Sequence, residues 1–330
     1  MIIVVQKEFA SSDLLEELCR HYQTRPIMLE DEQLVVTSSS VKELEDRFKP
    51  LASRVQVCAS DIQLSSKDFK PKRRIEFNDL TIGDGSTLVI TGPCSIESQT
   101  QIRSVAEFLV RIGVKVMRAG AFKPRTSPYS FQGMGIEGLK LLRSTTDEFG
   151  LHLITEVRDA THVADVIEYS DIVQIGAKAM YDHGILHACG DTRKPVLLKR
   201  GFGTTLQEFC QAAEFILSRG NPNVVLCERG LRTFETKTRF TLDLCGVAFL
   251  KEYTNLPVFV DPTHAMGYAY GVADLARASV AMGIDGLLIE THPNPAVAKS
   301  DASQQLNYAQ FEELHRTLGP VAAAVGSSIA

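Results

Sequence analysis

The alternation that begins at residue 87 most narrows what this chain can fold into. From there, short and mainly apolar segments recur: Thr87–Pro93, Lys115–Phe122, His152–Val157, Ile172–Ala177, Pro195–Arg200, Val224–Arg229, Pro257–Pro262 and Gly286–Glu290. Between them run stretches with apolar residues three and four apart, such as Gln99–Ile112, Ile136–Phe149 and Leu206–Ser218. A strand that is apolar on both faces must be covered on both, which is how parallel sheets are built. Eight such strands, each followed by a helical segment, over about 240 residues predict a (β/α)8 barrel of the TIM type. A doubly wound open sheet is the alternative, but no G-x-G-x-x-G follows the first strand.

Residues 1–63 read differently, as a small βαββαβ ferredoxin-like domain. Ile2–Gln6 is an apolar strand, Ser11–Tyr22 a helix with Leu14, Leu15 and Leu18 on one face, and Pro26–Leu29 and Gln33–Thr37 a hairpin. Ser40-Val41-Lys42-Glu43 has the pattern of a capping box that opens a second helix, and Arg54–Ala59 is a last strand. Residues 64–86 form a basic, solvated linker (Lys67, Lys70, Lys72, Arg73, Arg74) ending in a short hairpin over Ile75–Ile82. The barrel then takes up residues 87–330.

The net charge of −5 argues against nucleic acid or an anionic membrane as the main partner. Seven scattered cysteines without a C-x-x-C pair point to a reducing, cytoplasmic setting. No secretory leader is expected, and no apolar run approaches the length of a membrane span.

In a (β/α)8 barrel the active site lies where the strands end. Read in order, those ends carry Cys94, Arg118 with Lys123 and Arg125, Glu156, Lys178, Lys199 with Arg200, Arg229, His264 and Glu290. Repeated Lys and Arg after apolar strands in an acidic protein predict a cationic pocket for phosphate or carboxylate groups. Closure makes the first, seventh and eighth strands neighbours. Cys94, His264, Glu290 and Asp301, on the loop after the last strand, then form a thiolate, imidazole and carboxylate set suited to one divalent transition metal. Mn, Fe, Co and Zn all remain open.

Six segments carry a family resemblance: Gly92-Pro93-Cys94-Ser95-Ile96-Glu97-Ser98, Lys123-Pro124-Arg125-Thr126-Ser127-Pro128, Leu198-Lys199-Arg200-Gly201, Cys227-Glu228-Arg229-Gly230, Asp261-Pro262-Thr263-His264, and His292-Pro293-Asn294-Pro295 with Ser300-Asp301. In this order they resemble the 3-deoxy-D-arabino-heptulosonate 7-phosphate (DAHP) synthases, type I beta, which carry an N-terminal ferredoxin-like regulatory domain. The resemblance implies condensation of phosphoenolpyruvate with erythrose 4-phosphate, the first step of the shikimate pathway. It implies Cys94, His264, Glu290 and Asp301 as metal ligands. Arg118, Lys123, Lys199 and Arg229 would take phosphoenolpyruvate, Arg125 and Thr126 the phosphate of the aldose, and Lys123 would also give a proton to the new alkoxide. A homotetramer is implied as well, with tyrosine or phenylalanine as the effector of the N-terminal domain. The sister synthases that use arabinose 5-phosphate carry Lys-Ala-Asn-Arg-Ser-Ser where this chain has Lys123-Pro124-Arg125-Thr126-Ser127-Pro128. One position departs from the family: Gly176-Ala177-Lys178 stands where Gly-Ala-Arg is usual, so Lys178 keeps the charge but loses the bidentate fork.

Overall fold

The computed structural model describes residues 1–123, 127 and 129–330. Eight parallel strands, β7 (Ser86–Gly92), β8 (Val116–Arg118), β9 (His152–Val157), β10 (Ile172–Ile175), β11 (Val196–Lys199), β12 (Val224–Glu228), β13 (Val258–Val260) and β14 (Gly286–Glu290), pair in sequence order. β14 pairs with β7, Gly286 opposite Leu88 and Glu290 opposite Gly92, and this closes the barrel. The helices that follow are α2 (Gln99–Arg111), α3 (Gly135–Phe149), α4 (Val163–Tyr169), α5 (His183–Gly190), α6 (Leu206–Leu217), α7 (Leu244–Tyr253), α8 (Pro262–Met266) with α9 (Ala269–Ala281), and α10 (Tyr308–Ala324). A last short strand, Ser328–Ile329, returns to pair with β7.

The strands are uniformly apolar because both faces are buried. Leu88, Ile90, Val116, Ile154, Ile172, Leu197, Val225, Phe259 and Leu288 fill the interior. Their alternates, such as Val89, Leu153, Val173, Leu198 and Leu226, pack outward under the helices. The hairpin of β5 (Ile75–Phe77) and β6 (Leu80–Ile82) contributes Ile75, Leu80 and Ile82 to the same interior cluster. It plugs the end of the barrel opposite the strand C-termini.

The first residues form a four-stranded antiparallel sheet of β1 (Ile2–Val5), β2 (Pro26–Leu29), β3 (Glu32–Val36) and β4 (Ala52–Gln56), in the order β2-β3-β1-β4. Met1, Ile3 and Val5 face α1 (Asp13–His21), with Leu15, Leu18, Phe48 and Leu51. Ile2 and Val4 face the other way and join the cluster that runs into the barrel. The expected second helix is absent: Ser40-Val41-Lys42-Glu43 opens no helix, and a 3-10 turn over Asp46–Leu51 takes its place. Pro50 lies inside that turn, where its missing N–H prevents an α-helix from continuing toward β4.

The stretch after residue 63 is anchored at Gln63–Ser65 and at Arg73, while Lys67, Lys72 and Arg74 are exposed as expected of a linker. Glu214 on α6 accepts from the backbone N–H groups of Gln63 (2.9 Å), Leu64 (3.0 Å) and Ser65 (2.8 Å), and from the Ser65 hydroxyl (2.6 Å). Arg73 is buried and donates to Glu30 of the N-terminal sheet, to Asn255 Oδ1 (3.1 Å) and to the Leu64 carbonyl (3.2 Å). Among the described residues no helix is long and apolar enough to cross a membrane.

Candidate functional site

The ends of the barrel strands open into a cavity of about 670 Å³ lined by Arg118, Lys123, Glu156, Lys178, Lys199, Arg229, Arg232, Arg239, His264 and Asp301, among others. Of the residues named from the sequence, all in the described part except Cys94, Glu290 and Arg200 line it directly. Cys94 and Glu290 are fully buried in its wall. Arg125 and Thr126 lie outside the described residues. Arg200 turns away from the cavity, to Glu228 (2.9 Å) and Asp243 (2.8 Å), where it ties strands to α7. Alternation along an extended chain sends Lys199 inward and its neighbour Arg200 outward.

At the β7–β14 seam, Gly92 holds φ +147° at the end of β7, where a Cβ would lie 2.2 Å from the Arg118 carbonyl oxygen. Only glycine permits that approach, and it brings Cys94 beside β8. Cys94 Sγ donates to Asp301 Oδ2 at 3.1 Å, and Lys123 Nζ donates to the same sulfur at 2.9 Å and to the Cys94 carbonyl at 3.1 Å. Cys94, Glu290 and Asp301 each offer a donor atom, all within 4.8 Å of one another. His264 stands beside them, with Nε2 3.6 Å from Glu290 Oε1.

The His264 position follows from local sequence. Asp261 caps the short helix α8, Pro262 opens it and Gly267 ends it in the left-handed region. The Asp261 carboxylate accepts from the His264 backbone N–H (3.0 Å), from His264 Nδ1 (2.7 Å) and from Lys199 Nζ (2.6 Å). A carboxylate on Nδ1 fixes the tautomer that leaves the Nε2 lone pair facing Glu290. Burial outweighs the attraction of Asp261 and Glu290 and holds the His264 pKa below its usual value, so the ring is a neutral donor.

The charges are closely interlocked. Burial, helped by Glu290, pushes the Cys94 thiol up to about 12, so the sulfur keeps its proton here. A divalent cation among these donors reverses that preference, because coordination deprotonates a thiol. Burial opposes ionisation of Asp301, yet His264, Lys123 and Arg239 outweigh it and lower its pKa. Arg118 donates to Glu290 and has its pKa raised, since that carboxylate overcomes the effect of burial. Two carboxylates, a thiol that coordination would deprotonate and a neutral imidazole in one cluster fit a divalent transition metal of mixed sulfur, nitrogen and oxygen preference.

Across the cavity stands Arg229. It is buried, yet its Nε and Nη1 meet no hydrogen-bond partner among the described residues. Burial lowers its pKa, and its guanidinium lies over the Phe240 ring at 4.4 Å. Phe240 stacks on Phe202, which in turn carries Arg232 at 4.8 Å. Gly176, the first residue of the Gly176-Ala177-Lys178 segment, lies against Glu156: a Cβ there would be 2.5 Å from Glu156 Oε1. Gln174 donates to the other oxygen of that carboxylate.

Asp261, Gln304, Arg232 and Arg239 were not given roles from the sequence. Asp261 had a usable signal, since Asp before Pro-x-His both caps a turn and reaches the imidazole. The other three had none, because their places depend on how loops return to the barrel mouth.

Residues 61–325 match the DAHP synthetase I family. A phospho-2-dehydro-3-deoxyheptonate aldolase of Thermotoga maritima is 44% identical over 268 residues, 81% of this chain and 79% of that one. The crystal structure of the Thermotoga maritima DAHP synthase matches with a TM-score of 0.81 at 36% identity, over 100% of this chain and 99% of that chain. A truncated form of the Thermotoga synthase matches with a TM-score of 0.77 at 39% identity, over 82% of this chain and 100% of its own. A 2-dehydro-3-deoxyphosphooctonate aldolase of Bradyrhizobium is 34% identical over 248 residues, 70% of this chain and 86% of that one.

Proposed function

The chain belongs to the DAHP synthetase I family, and on that premise we propose that it condenses phosphoenolpyruvate, erythrose 4-phosphate and water to 3-deoxy-D-arabino-heptulosonate 7-phosphate and phosphate. The observation that carries the reading is the meeting, in one cavity, of a sulfur, nitrogen and oxygen donor set with a buried, unsatisfied Arg229. One side suits a carbonyl to be polarised, and the other suits a polyanion.

Cys94, His264, Glu290 and Asp301 are assigned to hold the metal. When bound, a divalent cation there supplies Lewis acidity toward the aldehyde oxygen. Asp261 orients His264 for this, and Arg118 offsets the charge of Glu290. Arg229, with Nε and Nη1 free to donate, takes an anionic group of phosphoenolpyruvate in bidentate fashion. Lys199, held by Asp261, and Arg118 add positive potential on the same side, with Lys178 at the rim. Arg125 and Thr126 are assigned to the aldose phosphate.

The bond is made when C3 of phosphoenolpyruvate attacks the aldehyde carbon. Lys123 is assigned to give the resulting alkoxide its proton. Burial works against its charge, but Cys94, Glu156 and Glu290 together raise its pKa, so it enters the reaction as an ammonium. Water adds at C2, and phosphate leaves toward the Arg229 side. Fixing two polyanions side by side offsets their repulsion and orients the reacting carbons.

We extend the proposal to feedback control by tyrosine or phenylalanine through residues 1–63, in a homotetramer. The Glu214 and Arg73 contacts support a mechanical link between that sheet and the barrel. The test of the reaction is to incubate the metal-loaded protein with both substrates and identify products by mass and phosphate release. Equimolar heptulosonate phosphate and phosphate are expected; release of phosphate without a seven-carbon product would overturn the reading.

A further inference from the structure

Beyond the four candidate ligands, one buried dipeptide contacts Glu290 and the backbone of Cys94 and Asp301. We propose that Gln304 and Gln305 are positioning residues that set the geometry of the metal site; the inference rests on the metal-dependent reading above.

Both side chains are buried, and all four of their amide heavy atoms are engaged. Gln304 Nε2 donates to Glu290 Oε2 at 2.7 Å, while Arg118 donates to the other oxygen of that carboxylate. The rotation of Glu290 is thus fixed from both sides. Gln304 Oε1 accepts from Arg239 Nη1 at 2.8 Å, and the same nitrogen lies 3.6 Å from Asp301 Oδ1. Gln305 works on the opposite side of the seam. Its Oε1 accepts the Cys94 backbone N–H at 3.0 Å, and its Nε2 donates to the Ser300 carbonyl at 2.9 Å.

The backbone around the pair reaches the remaining elements. Gln304 N donates to the Asp301 carbonyl (3.2 Å) and Leu306 N to the Glu290 carbonyl (2.9 Å). The Ser303 hydroxyl donates to the carbonyl of Gly267, the residue that ends the His264 helix (3.0 Å). Asp301 itself sits at φ +47°, a conformation that costs a non-glycine residue free energy and persists only when its surroundings impose it. Here Gln304 meets the Glu290 carboxylate and the Arg239 guanidinium that faces Asp301, and Gln305 holds the main chain of Cys94 and of Ser300, the neighbour of Asp301. Hydrogen-bond partners of metal ligands tune affinity in this way.

The test uses metal-free protein without substrates. Gln304→Met, Gln304→Glu and Gln305→Met, with Gln304→Leu as a harsher form, are titrated with Co2+ while the thiolate-to-cobalt charge-transfer and ligand-field bands are recorded. The methionine variants keep the side-chain volume, so that folding is preserved if the leucine form fails. We expect affinity to fall roughly 10–100-fold in each variant, with altered bands and near-native melting of the metal-free protein. Gln304→Glu, which places a second carboxylate against Glu290, is expected to differ most in its bands. Methionine variants that bind Co2+ within about twofold of the parent, with unchanged bands, would overturn the inference, since an outer partner of the ligands is worth more than that. A protein that binds Co2+ normally but forms no heptulosonate phosphate would instead count against the proposed reaction alone.

Discussion

Replacing Arg229 by methionine separates substrate binding from folding at one residue. Methionine keeps an apolar stem of similar reach and removes the guanidinium. In the free protein Arg229 is buried at 5% exposure, and its Nε and Nη1 have no partner among the described residues. Leaving buried donors unsatisfied costs about 1–3 kcal/mol, and the contact with Phe240 returns about 0.5–2 kcal/mol. The two nearly cancel, so the substitution is expected to leave melting unchanged or slightly raised. With phosphoenolpyruvate bound, the same two nitrogens gain charged acceptors, each worth about 1.5–3 kcal/mol. Their loss predicts a fall of roughly a hundredfold or more in kcat/KM for phosphoenolpyruvate, at about 1.4 kcal/mol per tenfold. The assay is steady-state turnover with each substrate varied in turn, beside thermal melts with and without phosphoenolpyruvate. The parent protein gains stability with ligand, about 2.7 kcal/mol at a hundred times Kd, and the variant is expected to lose that gain at the same concentration. Turnover within about fivefold of the parent, or melting lowered by several degrees in step with activity, would refute the reasoning, because the guanidinium would then be structural.

Other substitutions probe neighbouring parts of the account. Lys178→Arg restores a bidentate fork at the cavity rim and is expected to lower KM for phosphoenolpyruvate about fivefold; an unchanged or raised KM removes Lys178 from the binding role. Arg118→Leu leaves the Glu290 charge buried without its guanidinium and is expected to cost about 3–5 kcal/mol in denaturant unfolding, whereas a change under 1 kcal/mol would mean the pair contributes little. Glu214→Ala removes the acceptor of three backbone N–H groups at Gln63, Leu64 and Ser65; a loss of about 2 kcal/mol or more and faster proteolysis near residue 63 are expected, and native resistance would argue against this anchor. Chelation is expected to abolish turnover and added Mn2+ or Co2+ to restore it, and full activity after exhaustive chelation would remove the metal from the mechanism.

How much of this was readable beforehand depended on what kind of contact decides each feature. The barrel strands were legible because burial on both faces writes itself as an apolar run, and His152–Val157 and Gly286–Glu290 agree to the residue. Lys115–Phe122 overshot, since the ladder of β8 stops at Arg118. Beyond it the chain leaves regular pairing to meet the Cys94 loop, with isolated bridges between Ser95 and Gly120 and between Phe122 and Gly133. The second N-terminal helix was suggested by the capping pattern at Ser40, but only a 3-10 turn over Asp46–Leu51 forms, and Pro50 within it bars an α-helix from running on. The basic stretch near Arg73 misled in another way: composition suggests solvent, but Asn255, Glu30 and the Leu64 carbonyl come from three distant parts of the chain. Barrel closure predicts that Cys94, His264, Glu290 and Asp301 meet, and the pairing of β14 with β7 brings them together. Gln304, Arg239 and the lack of partners for Arg229 Nε and Nη1 among the described residues depend on side-chain directions that no sequence pattern encodes.

The proposed choice of aldose is the point on which the functional assignment turns, because both sister activities appear among the relatives. The decisive measurement is a competition: metal-loaded protein, limiting phosphoenolpyruvate, and equal concentrations of erythrose 4-phosphate and arabinose 5-phosphate, with products resolved by mass. The account predicts the seven-carbon 3-deoxy acid phosphate almost alone. A predominance of the eight-carbon product would contradict it.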